Sequence, residues 1–278
     1  MKIKNIFTHI ILIIICILSV LPFLWLLSTA LKGRLDNIYA YPPEFIPKNF
    51  TFDNMIKVMK LVPIIKYCIN SFIVAGFTVI LNIVLSAMAA YPLARMNFMG
   101  KKVVFFAILA TIMVPFQCIM LPVYIITLKL NMVDSYSDLM GYVGLIMPFA
   151  VNAFGIFLMR QAFLAIPKEI EESAVIDGCN SWQIFFKLLL PMTKPTIAVL
   201  AIFTFIGSWG EFLWPSIVLT NEQLLTLPVG INNLSSAFSA DYRLVAAGSI
   251  ISIIPILIFF LSLQKYFVSG TNDGAVKG

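Results

Sequence analysis

Residues 164–195 read LAIPKEIEESAVIDGCNSWQIFFKLLLPMTKP, the longest acid-bearing stretch between two long apolar runs. Pro167 suits the first turn of a helix, where its missing N–H costs nothing. Glu169, Glu171 and Glu172 follow near the positive end of that helix, where carboxylates are favoured. Gly178 supplies the left-handed residue that ends a helix of about three turns. Asn180 and Gln183 stand three apart, the spacing of a capping box, and open a second helix. That helix carries Trp182, Ile184, Phe185, Phe186, Leu188, Leu189 and Leu190, and Pro191 stops or kinks it. The stretch therefore predicts two short helices meeting at a glycine corner. Ordinary helix–helix connections take about 2–8 residues, so a built element is expected here.

Working outward, the 278-residue chain is 60% apolar and only 12% charged. Soluble domains average roughly 25% charged residues. Several apolar runs reach the ~20 residues that cross a bilayer as helix. The fold class is all-α integral membrane protein, in one domain over 1–278, with spans at about 10–31, 67–91, 103–128, 139–163, 196–220 and 244–268. A cleaved signal peptide competes for the first run, with Ser28 and Ala30 resembling a cleavage site. Signal cores usually run about 7–15 residues, and this run is longer, so an uncleaved span is expected. Residues 52–62 form a weakly amphipathic patch suited to a short surface helix. Pro115 and Pro122 break the third span, and Pro22, Pro148, Pro215 and Pro255 place kinks in others.

An even number of spans puts both termini on one side. That side then holds Lys2, Lys4, Arg95, Lys101, Lys102, Arg160, Lys168, Lys187, Lys194, Lys265 and Lys277, against Lys129 and Arg243 in the two short opposite loops. Basic residues favour the cytoplasm, so both termini and residues 164–195 are expected there. The long first loop carries further lysines and weighs less, being long. The net charge of +6 reflects such loops and does not point to nucleic acid.

With Glu172-Ser173-Ala174, then Gly178, then Leu188-Leu189-Leu190-Pro191, the corner resembles the "EAA" loop of permease subunits of bacterial binding-protein-dependent ABC importers (type I importers). The flanking IPKEIEESAVIDG is most similar to carbohydrate-uptake permeases, such as the G subunit of the maltose permease. Ser173 stands in place of the first alanine and Leu188 in place of the usual isoleucine. The resemblance implies a six-span permease fold with a cytoplasmic two-helix coupling loop. It implies ATPase coupling through Glu171, Glu172, Ser173, Ala174, Asp177, Gly178, Leu188, Leu190 and Pro191. The partners implied are a second homologous permease, two cytoplasmic ATP-binding subunits and an extracytoplasmic solute-binding protein. The function implied is sugar import across the bacterial cytoplasmic membrane, with glycerol phosphate or another polyol derivative as the alternative cargo.

The residues themselves suggest no catalysis. Four cysteines and one histidine show no metal-ligand spacing, and no Gly-x4-Gly-Lys-Ser/Thr phosphate loop occurs. No cofactor is expected on this chain, and ATP hydrolysis would belong to a partner. A self-contained secondary transporter would show internal repeats and mid-membrane coupling groups; no convincing repeat is visible. Glu211, in SWGEFLWPSIVL, lies deep in an apolar run, where a charge must face protein or water. Trp209, Phe212 and Trp214 flank it and suit a sugar path, while a structural carboxylate is the competing reading. Related carbohydrate permeases often have asparagine where this chain has Gly210. Asn70, Asn82, Gln117 and Asn152 are read as helix-joining polar groups. Residues 221–243 are read either as a connector or as a loop touching an external partner.

Overall fold

The computed structural model describes residues 2–237 and 241–275, with side chains described over 6–234 and 241–265. Among them the regular structure is helical, apart from one isolated antiparallel bridge between Lys32 and Phe50. In chain order, α1 is Lys2–Ala30, α2 Asp53–Leu61, α3 Ile64–Arg95, α4 Lys101–Ala110, α5 Phe116–Lys129, α6 Asp138–Ile146, α7 Ala153–Ala165, α8 Lys168–Ile176, α9 Ser181–Met192, α10 Lys194–Gly210, α11 Leu213–Val218, α12 Leu227–Ala237 and α13 Tyr242–Ala275.

Three stretches, Ile6–Ala30, Ile64–Arg95 and Tyr242–Lys265, are single helices long and apolar enough to cross a bilayer. The remaining apolar sequence is bent, by 101° between Lys101–Met113 and Phe116–Lys129 and by 57° between Asp138–Phe149 and Ala153–Ala165. A third bend of 74° separates Ser181–Met192 from Lys194–Gly210. The first two have local causes. Val114 is extended ahead of Pro115, as the residue before proline prefers. Asn152 is extended and caps α7, its Oδ1 accepting from the Gly155 N–H at 2.6 Å. Pro122, expected to break the third span, instead lies inside α5. The helix expected over 196–220 is also interrupted, because α10 ends at Gly210 and α11 starts only at Leu213. Pro215 has no N–H to offer the Glu211 carbonyl, so an unbroken helix would leave that carbonyl without its intrahelical partner.

The chain divides into two compact units, Met1–Cys68 with Leu227–Pro255 and Ile69–Thr226 with Ile256–Gly278. In the first, the segment after α1 is held by buried polar groups. Lys32 is buried, with Nζ donating to the Glu44 carbonyl at 2.6 Å and lying 4.7 Å from the Trp25 ring centre. Asn54 of α2 donates to the carbonyls of Ala30 and Lys32, both at 2.8 Å. The Asp36 carboxylate accepts from the Asn49 and Gly33 backbone N–H groups and from the Asn49 side chain. Burial pushes the Asp36 carboxyl up, but those hydrogen bonds and the Lys32 charge outweigh it and hold the group below the ordinary aspartate range. Residues 221–243, read from sequence as a connector or as a loop touching an external partner, contain α12, whose Leu227, Ile231 and Leu234 are buried at helical spacing. Residues 238–240 of that segment lie outside the described residues, as do the side chains of Lys2, Lys4 and Lys277 and those of 266–268 at the end of the sixth span.

The second unit holds the corner. Its core joins Ala87, Ala90, Leu93 and Ala94 of α3, Phe105 of α4, Ile156, Met159 and Phe163 of α7, Ile184, Phe185 and Leu189 of α9, and Leu200 of α10. Alanines on α3 let these helices approach closely. At Gly155 a side chain would run into Ser86 and Asn82 of α3, so glycine sets the α3–α7 contact. Asn70 joins helices as expected. Its Nδ2 donates to the carbonyls of Gln223 and Leu225, both at 3.0 Å, and its Oδ1 accepts from Tyr142 at 2.8 Å. Asp134 accepts from the backbone N–H groups of Thr220 and Asn221, both at 2.6 Å, and so ties the α5–α6 turn to the end of α11. Asn70→Leu strands three polar partners. It should lower the thermal midpoint of the purified protein in detergent, each stranded buried group costing about 1–3 kcal/mol.

Candidate functional site

The corner forms from cap chemistry at both of its helix ends. Pro167 is the residue before α8, one position earlier than the helical turn the sequence suggested, and is extended with φ −56° and ψ 140°. Proline fits either place, because φ is the same in both. Glu169 and Glu171 lie in the first turn of α8. Gly178 has φ +82°. The Gly178 N–H donates to the Val175 carbonyl at 3.0 Å and the Cys179 N–H to the Ala174 carbonyl at 2.9 Å. This pair of bonds is a Schellman closure, which needs the left-handed glycine. Two residues on, the capping box is complete. The Gln183 N–H donates to Asn180 Oδ1 at 2.9 Å, and the Asn180 N–H donates to Gln183 Oε1 at 2.8 Å.

α9 does not stop at Pro191. Residues Ile184–Leu189 widen into a π-helical turn in which the Leu190 N–H reaches the Phe185 carbonyl, and helix continues to Met192. A proline at 191 cannot donate to the Lys187 carbonyl and would crowd it in regular α-geometry. The widened turn accommodates both problems, and the break falls at Thr193.

Burial separates two faces of the corner. Ile184, Phe185 and Leu189 point into the core, and Ile170, Ala174, Leu188 and Leu190 pack against it partly buried. Glu171 also turns inward, its Oε1 lying 2.5 Å from Arg95 Nε at the end of α3. Glu172, Ser173, Asp177, Gly178 and Pro191 are exposed. Ile176 is 86% exposed and Trp182 63%, with the Trp182 ring stacked on Phe186. Ser173 bonds its own helix, Oγ donating to the Glu169 carbonyl at 2.7 Å, so serine in place of alanine leaves this surface unchanged.

The second sequence candidate is rearranged. Trp209 and Trp214 are fully buried in packing. Trp209 stacks on Phe205 and meets the edge of Phe72, and Trp214 donates Nε1–H to the Gly144 carbonyl at 3.0 Å. Neither ring is placed to stack on a passing ligand. Phe212 lies at the break between α10 and α11 and does not line the nearby cavity. Glu211 does line it. It stands in the extended break after α10, with Oε1 accepting the Trp214 N–H at 3.1 Å. The cavity is about 200 Å³ and is also bordered by Thr78, Asn152, Thr204, Ser208 and two phenylalanines, Phe149 and Phe203. Thr78 is buried there with its hydroxyl lacking a protein partner. Thr204, Ser208 and Glu211 form a polar stripe at helical spacing inside an apolar run, a pattern visible in the sequence.

With this geometry in hand, the chain can be set beside known proteins. The family described as "Binding-protein-dependent transport system inner membrane component" matches residues 82–273. The arabinooligosaccharides transport system permease protein AraQ of Bacillus subtilis (strain 168) is 35% identical over 264 residues, covering 94% of this chain and 92% of the relative. The galactooligosaccharides transport system permease protein GanQ of the same organism is 31% identical, covering 99% and 96%. A crystal structure of a bacterial ABC transporter involved in the import of the acidic polysaccharide alginate superposes with a TM-score of 0.81, at 24% identity and over 96% of this chain and 97% of that one. The chain belongs to the family of binding-protein-dependent transport system inner membrane components. It is a multi-pass, all-α membrane protein with the fold of an ABC importer permease.

The rigidity of the corner is open to a direct test. Asn180→Ala removes the cap, a loss of about 0.5–2 kcal/mol. Hydrogen–deuterium exchange should rise at the start of α9 and stay unchanged in α7.

Proposed function

We infer that this chain is a permease subunit of an ATP-driven sugar importer, forming part of the path through the bacterial cytoplasmic membrane. The observation that carries this reading is the two-faced corner. One face is packed into the membrane unit, and the other presents Glu172, Ile176 and Trp182 outward without a covering element. A flexible loop would dissipate a displacement, whereas an element capped at both of its inner ends transmits it. The ATPase that grips it is a separate dimer of ATP-binding subunits, and this chain binds no nucleotide and catalyses nothing itself. A second, homologous permease completes the path, and an extracytoplasmic solute-binding protein delivers the cargo. Both termini and the corner face the cytoplasm, in keeping with the distribution of lysine and arginine.

The saccharide class is supported by the relatives, which are named for arabino- and galactooligosaccharides and for melibiose, raffinose and stachyose. A polyol-linked cargo is the second reading. It is favoured by a relative named for sulfoquinovosyl glycerol, from Agrobacterium fabrum (strain C58 / ATCC 33970), at 29% identity over 95% of this chain. In either case the cavity at Glu211 is the part of the path this chain supplies. Its hydroxyl, amide and carboxylate groups match the alternating donors and acceptors of a polyhydroxylated molecule.

Two variants test the reading in the assembled transporter. Gly178→Val faces open space, so its penalty is backbone strain alone, about 1–3 kcal/mol. It should leave membrane insertion and ATP hydrolysis intact and abolish uptake; normal uptake would count against the corner as a coupling element. Glu211→Gln should lower uptake at saturating binding protein about tenfold or more, since a hydrogen bond to a charged group contributes about 1.5–3 kcal/mol. Unchanged uptake and selectivity would remove Glu211 from the path.

A further inference from the structure

The adjacent acids Glu171 and Glu172 have opposite fates. Glu172 is exposed, while the Glu171 side chain is 17% exposed and lies against an Arg95 side chain that is 6% exposed. Their atoms approach to 2.5 Å, off the line of an N–H bond, so the contact is a close ion pair rather than an aligned hydrogen bond. Arg95 Nη2 also donates to the Ile166 carbonyl at 2.7 Å, on the residue that closes α7 just before α8. One guanidinium therefore joins the end of α3, the end of α7 and the first turn of α8. Two other ion pairs, Lys48–Glu44 and Arg243–Asp241, connect residues only four and two apart.

α8 has few other anchors. It contains no fully buried residue, and only Ile170 and Ala174 touch the core. α3, to which it is tied, has a special position. The other helices bordering the cavity, α10 and α7 (through its cap Asn152), belong to bent or interrupted spans, whereas α3 is one continuous helix from Ile64 to Arg95, with Pro92 inside it near its end. Thr78, on the cavity wall, and Arg95, on the corner, share this rod. Seventeen residues of helix separate them, about 26 Å at 1.5 Å per residue. The carbonyls at the rod's end are themselves fixed by cations: Arg160 donates to Leu93 at 3.0 Å and Lys101 to Met96 at 2.8 Å. A displacement of α8 thus reaches the cavity wall without crossing a break, provided Glu171 and Arg95 stay together.

We propose that Arg95 and Glu171 are the positioning pair that passes movement of the corner to α3, and through it to the cavity. This rests on the coupling role inferred above. Glu172 is left for the partner, and Glu171 holds the lever to the rod. The pair touches neither nucleotide nor cargo.

The test uses the complete transporter, reconstituted with its ATPase and binding protein, and compares Glu171→Gln, Arg95→Gln and the double variant. Two quantities are read: cargo taken up per ATP hydrolysed, and the thermal midpoint of the complex. Each single variant leaves one buried charge uncompensated, which is strongly destabilising, whereas the double variant leaves no unpaired charge and gives up only the bond to the Ile166 carbonyl. Glu171→Gln should lower uptake per ATP by about tenfold or more, within the range of about 5–150-fold typical of coupling between two sites. In the double variant the thermal midpoint should return toward wild type while uptake per ATP stays low. Recovery of both together would make the pair cement and overturn the proposal, as would a wild-type ratio in Glu171→Gln. If the wild-type chain fails to hold an ATPase at all, the coupling reading itself falls, so the two failures are distinct.

Discussion

Where two helices meet at a sharp angle, the last carbonyls of one and the first N–H groups of the other have lost their intrahelical partners. The residues between them must satisfy those groups or the angle will not hold. In this protein Gly178 makes that possible. Its left-handed backbone lets two N–H groups fold back onto α8, and the Asn180–Gln183 exchange then opens α9 immediately. The corner keeps its angle without help from its exposed surface. That surface is free to be shaped for another molecule, and the inward face of α9 is free to pack.

The same accounting of backbone groups explains the interrupted spans. In hydrocarbon an unsatisfied carbonyl is costly, so irregular backbone is tolerated only where protein or a water-filled space receives it. Here the break after α10 borders the cavity at Glu211, and the break before α7 borders it at Asn152. Polar side chains occur at the breaks for a structural reason first: Glu211 receives the Trp214 N–H and Asn152 the Gly155 N–H. Having gathered there, they give the membrane unit its polar recess. The residues that satisfy the breaks are therefore the ones proposed to line the path.

What could be read from the amino-acid order follows from how local each interaction is. Gly178, Asn180 and Gln183 act on neighbours within five positions, and their turn chemistry was visible. The apolar runs were equally plain, since crossing a bilayer is a matter of length and composition. Interactions depending on a distant helix were not visible. Trp209 and Trp214 looked like a sugar-facing pair, yet the helices around them bury both rings, and no local pattern distinguishes those outcomes. The ion pair of Arg95 with Glu171 spans residues far apart in sequence, so nothing nearby announced which of two adjacent glutamates would turn inward. Pro191 misled for another reason: the backbone widened into a π-turn and absorbed the missing N–H. α12 was hidden because polar and small residues interleave with Leu227, Ile231 and Leu234.

The function proposed for this chain makes it a passive part of the path, moved by something else. Uptake into liposomes, measured with this chain alone and with the chain together with its second permease, ATPase and binding protein, addresses that claim most directly. No accumulation by the chain alone, and ATP-dependent accumulation by the full set, is the predicted result. Cargo concentrated by this polypeptide without any ATPase present would contradict it.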